Sequence, residues 1–130
     1  MAPERMLSAA LWVCVAYFLA MAAAHGTGLK VPILFVYYDT PYFAYQDLII
    51  SFCVVVYAIF FAAAARHREI APYAVAALWV TTLGLARVNL SPALAEAAAQ
   101  GASTYWAYWV QTGLVGAIAA AVTVLWRRAA

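Results

Sequence analysis

Four apolar stretches, each close to the length that crosses a bilayer, constrain this chain more than anything else in it. They run over residues 6–24, 41/48–65, 72–90 and 105–126, against the roughly 20 residues that a helix needs to span hydrocarbon. Within lipid no water pairs with the backbone, so each crossing segment must satisfy its own N–H and C=O groups, which selects helices. Composition agrees: 69% of the 130 residues are hydrophobic, 9% are charged, and the mean hydropathy is +0.90. A soluble domain of this size would carry far more polar surface. The expected fold is an all-α, polytopic membrane protein, a bundle of four transmembrane helices forming one domain over residues 1–130.

Charge orients the bundle. With the N-terminus cytoplasmic, Arg5, Arg66, Arg68, Arg127 and Arg128 fall on the inner side, while Lys30 and Arg87 fall on the outer side. The positive-inside rule therefore predicts both termini in the cytoplasm, in a bacterial inner membrane. Alanine supplies about a quarter of the residues, read as GC-rich coding combined with close helix packing.

The two outer connections carry structure-forming signals. The first, from His25 to Asp47, is long and aromatic, with Tyr37, Tyr38, Tyr42, Phe43 and Tyr45; Thr40-Pro41 can start a helix within it, capped by Asp39. The second opens with Ser91-Pro92, continues through Ala93 to Gln100 and stops at Gly101, which predicts a short helix at the membrane surface. Aromatic residues cluster on this side, adding Tyr105, Trp106, Tyr108 and Trp109. They suit an interfacial belt, or a binding platform. Arg5, the apolar stretch and Ala22-Ala23-Ala24 before His25 also outline a cleavable leader, but the apolar run is longer than a leader core, so the expectation is that it stays.

Candidate functional residues gather on the same outer side. Arg87 sits about one turn inside the end of the third span, where an ionisable group needs a partner or a route to water. Asn89 follows it, and antiparallel packing would bring Asp47 of the second span to similar depth. Arg87 could bind a carboxylate or phosphate with Asp47 setting its orientation, or the arginine could snorkel within a structural ion pair. Gln111, with Tyr105 and Tyr108, adds polarity on the fourth span; Tyr45 adds a ring on the second. His25 and Asp39, with Asp47, are weak metal candidates, because their spacing matches no metal motif. His67 lies at the opposite side from His25, so the two histidines do not share a ligand.

Several functions are disfavoured. A net charge of +2 gives no basic run for nucleic acid. Cys14 and Cys53 form no CxxC. There is no HExxH, phosphate-binding glycine loop or GxSxG, which counts against hydrolases and metalloproteases. Stripes of small residues (Ala16, Ala20 and Ala24; Gly113, Ala117 and Ala121) permit close helix approach within the bundle or with another protein. No catalytic set and no cofactor is expected, although a lipid or quinone suits the outer face. The expected function is a non-catalytic component or accessory subunit binding a partner protein or lipid there. The rivals are an oligomeric transporter or channel, and a membrane enzyme acting on a lipid or quinone.

Overall fold

A computed structural model describes residues 2–29, 44–99 and 105–130. Five α-helices form over them: α1 (Pro3–Thr27), α2 (Ala44–Arg66), α3 (Ala71–Asn89), the short α4 (Pro92–Ala99) and α5 (Tyr105–Ala129), with one turn of 3₁₀ helix at Arg68–Ile70. Four of these segments are long and apolar enough to cross a membrane. Helices α1 and α5 overrun the apolar stretches that predicted them, since backbone pairing carries a helix past the last apolar residue. Residues 41–43 lie outside the described residues, and α2 is described from Ala44, between the two starts considered for it. The 25–43 connection is described only as far as Leu29, and the Asp39 cap lies beyond it.

Local chemistry sets the helix ends. Pro3 stands in the first turn of α1, where its missing N–H costs nothing. Gly28 closes α1 in the left-handed region (φ 69°), and Leu29 N–H returns to Ala24 O at 3.0 Å. Between α2 and α3, His67 takes an extended conformation and Pro72 enters the first turn of α3. Ser91 starts α4, its Oγ accepting from Leu94 N–H at 3.4 Å, as the Ser-Pro signal predicts.

Helix α1 packs along α2 and against α5, and α5 packs along α3. Contacts between α2 and α3 are slight despite their short connection. In space the order is therefore α2–α1–α5–α3. Successive long helices run antiparallel, so the N-terminus, the C-terminus and the Arg68–Ile70 turn share one end, here called the near end. A contact between Arg68 and Glu4 ties that turn to the start of α1. The ends at His25, Asp47, Asn89 and Tyr105 make the far end.

The near half and the middle hold the apolar core. Leu7, Leu11, Cys14, Phe18, Phe61, Leu78 and Val122 form one buried cluster. Phe18 stacks on Phe61 with centroids 5.1 Å apart and on Tyr57 at 5.5 Å, so rings fill the α1–α2 seam. Where helices approach most closely, alanine is inside: Ala58, Ala64, Ala71, Ala74 and Ala119 are buried. The stripes read from sequence face elsewhere. Ala16, Ala20, Gly113, Ala117 and Ala121 are exposed, and of the six only Ala24 is buried. A four-residue repeat arises readily in an alanine-rich chain, whereas the large residues choose which face turns inward.

Ala119 is fully buried, so Ala119→Leu should push α5 from its neighbours and destabilise the fold by about 2 kcal/mol. Thermal unfolding in detergent is the check; an unshifted midpoint would mean that this seam yields freely.

Candidate functional site

Among the described residues, the buried polar side chains are His25, Asp47, Asn89, Gln111 and Thr112. All five lie in the far half. They come from α1, α2, α3 and α5; four of them meet in pairs across α1–α2 and α3–α5, and Gln111 meets Tyr17 across α1–α5.

The α1–α2 pair is the shortest. His25 Nδ1 stands 2.6 Å from Asp47 Oδ1, and the two residues are 8% and 6% exposed. With the carboxylate ionised, Nδ1–H donates and Oδ1 accepts, a charge-assisted hydrogen bond inside the bundle. The surroundings make this approach possible. Ser51 is one turn after Asp47 on the same face of α2, and its Oγ donates to Ala22 O at 2.8 Å. Gly26 lies opposite: a Cβ there would come within 3.1 Å of Ser51 Oγ. A glycine next to His25 thus lets the two helices come close where the pair forms.

Across α3–α5, Asn89 Nδ2 donates to Thr112 Oγ1 at 2.9 Å, and Thr112 Oγ1 donates to Tyr108 O at 3.0 Å. Across α1–α5, Gln111 Nε2 reaches Tyr17 Oη at 3.4 Å, a longer and weaker contact. Each seam of the far half therefore carries at least one polar clasp among the described residues. In hydrocarbon such pairs hold helices in register because no water competes for the donors.

The remaining candidates separate. Arg87 is exposed on α3 and makes no ion pair among the described residues. Asp47 turns to His25 rather than to Arg87, because α2 packs on α1 and touches α3 only slightly. Asn89 and Gln111 are buried, as is Tyr108, whereas Tyr45 is 79% exposed. Exposed Tyr45, Trp106 and Trp109 ring the far end as an interfacial belt would. Asp39 and the Tyr105 side chain lie outside the described residues, as do Lys30, Tyr37, Tyr38 and Tyr42. Among the described residues no third His, Cys, Asp or Glu joins His25 and Asp47. At the near end, exposed His67 stands 3.6 Å from Glu69 and far from His25.

Sequence reasoning passed over Tyr17, Ser51, Gly26 and Thr112. A signal existed for the first two. Tyr17 and His25 are eight residues apart, close to the same face of α1, and Ser51 follows Asp47 by four. A polar residue repeating at helical spacing marks an inward face. Thr112 gave no such sign, since threonine also bonds its own helix and stands anywhere in a membrane span.

What this arrangement can do chemically is limited and specific. It offers a buried acid–base couple, two amides and two tyrosines in the far half of the bundle, above a middle whose buried side chains are apolar. No family model, curated protein or solved structure matches the chain.

Proposed function

We infer that this protein is a small, non-catalytic component of a bacterial inner membrane that binds a partner protein or a lipid at its far end. The observation that carries this reading is the one-sided polarity of the interior. Buried polar groups occupy the far half, while Leu11, Phe18, Phe61 and Leu78 seal the middle. A transporter would continue its polar lining through that middle. A binder at one surface has no such need, and the exposed Tyr45, Trp106 and Trp109 suit docking at headgroup depth.

The membrane orientation follows from charge. Arg5, Arg66, Arg68, Arg127 and Arg128 collect at the near end, so both termini face the cytoplasm and the far end faces out. Cysteine labelling gives the check. His67→Cys should resist impermeant maleimide until cells are opened, and ready labelling of intact cells would reverse the orientation.

Photocrosslinking tests the function. A photoreactive residue in place of Tyr45 or Trp106 should yield one discrete adduct in native membranes, and one in place of Tyr73, an exposed near-end site, should not. Equal yields from both ends, or no adduct from the far end, would end this reading.

A second reading is an enzyme acting on a lipid or quinone in the outer leaflet. The His25–Asp47 contact favours it, because a histidine backed by a carboxylate can exchange a proton with a bound headgroup or quinone. Turnover abolished by Asp47→Asn in a protein that still binds its ligand would replace the first reading with this one.

A further inference from the structure

At the near end, α1 and α2 leave a cleft of about 160 Å³, lined by Glu4, Leu7, Ser8, Leu11, Arg66 and Arg68 among others. Its floor is apolar, since Leu7 and Leu11 belong to the buried core. Its rim is basic. The Arg66 guanidinium carbon lies 5.4 Å from the Trp12 ring centroid, so the ring supports one face of the cation. Arg66 lines the cleft, and among the described residues no ion pair or side-chain hydrogen bond takes up its guanidinium. Arg68 Nη1 donates to Glu4 Oε1 at 3.0 Å, an exposed contact. Two guanidinium groups against one carboxylate leave a single positive charge on the rim, the complement of one phosphodiester.

We propose that this cleft binds the phosphate of an anionic phospholipid, with Arg66 and Arg68 as its donors. The apolar floor and the setting distinguish a lipid from a soluble anion. Exposed Trp12 follows the floor residue Leu11 on α1 and lies against Arg66, so it adds apolar surface beside the cleft on which an acyl chain can lie. Basic pockets between membrane helices are where anionic headgroups lodge. Ser8 takes no part in reading the phosphate, because its hydroxyl already donates to Ala65 O at 3.0 Å. The carbonyl end of α2 disfavours an anion, but this partial charge is smaller than that of either guanidinium.

The test mixes the purified full-length chain in detergent with phosphatidylglycerol or phosphatidylcholine and counts retained lipid by native mass spectrometry. One phosphatidylglycerol per chain should be retained in preference to phosphatidylcholine. Arg66→Ala should weaken retention about tenfold, the loss of a charge-assisted contact. Arg127→Ala, a charge at the same end but outside the cleft, should leave it unchanged. Glu4→Gln should strengthen retention, because it frees Arg68 while breaking only an exposed contact that contributes little to folding. Unaltered binding by Arg66→Ala, or an equal loss in Arg127→Ala, would overturn the site in favour of diffuse attraction. Complete displacement by inorganic phosphate would overturn the lipid assignment. If Arg66→Ala fails to fold, Glu4→Gln decides alone, and no gain in retention refutes the proposal.

Discussion

Asp47→Ala will destabilise the bundle by about 3 kcal/mol, the cost of taking a hydrogen-bond partner from a buried polar side chain and opening a cavity beside it. The loss comes less from the missing contact than from His25, which is 8% exposed and would face a cavity where it now faces a carboxylate. Interhelical polar contacts in lipid average only about 0.6 kcal/mol, so a small effect would place this pair among the ordinary ones. The double variant His25→Leu with Asp47→Leu separates these cases. Two apolar side chains fill the seam and remove both polar groups together, so the pair of changes should cost less than Asp47→Ala alone. Denaturant unfolding in mixed micelles measures both. A double variant weaker than the single one would show that the polar pair itself, and not the mismatch left by removing one member, holds α1 to α2.

Phe61→Ala should be as damaging, at about 3–4 kcal/mol, through a different mechanism. Phe61 is fully buried and stacks on Phe18, with Tyr57 and Phe60 also in ring contact. Truncation opens a cavity between α1 and α2 in the middle of the span, and the neighbouring rings cannot collapse into it without leaving their own contacts. Phe52 on the same helix is 60% exposed and provides the comparison. Phe52→Ala should change unfolding by less than about 1 kcal/mol, because lipid replaces the lost contacts. Equal losses at the two positions would mean that α2 is rotated from the face described here.

The contrast between these phenylalanines marks the limit of what the sequence reveals. Both sit in one unbroken apolar run, and hydropathy treats them alike. In a soluble helix, polar residues on the outer face would have told them apart. In lipid both faces are apolar, so the amphipathic signal that assigns a helix face is nearly absent. The same loss of signal explains the alanine stripes, which face outward here, and the pairing of Asp47. Its depth was legible from its distance to the end of the span. Its partner was not, because that depends on whether α2 lies against α1 or α3. The polar residues of the far end were partly legible, since Asn89 and Gln111 are conspicuous in apolar runs. Tyr17 and Ser51 joined them only when helical spacing was combined with a known neighbour.

Segment length, apolar content and the placement of arginines are properties of each stretch facing lipid and water separately. They were enough to specify four helices long and apolar enough to cross a membrane, the short Ser91-initiated helix and the grouping of five arginines at one end. Only the tertiary structure decided the order α2–α1–α5–α3, and with it the His25–Asp47 contact, the exposure of Arg87 and the basic cleft beside Arg66. Those outcomes depend on the rotation of each helix about its axis, which is set by how Phe18, Phe61 and the buried alanines fit together across the seams.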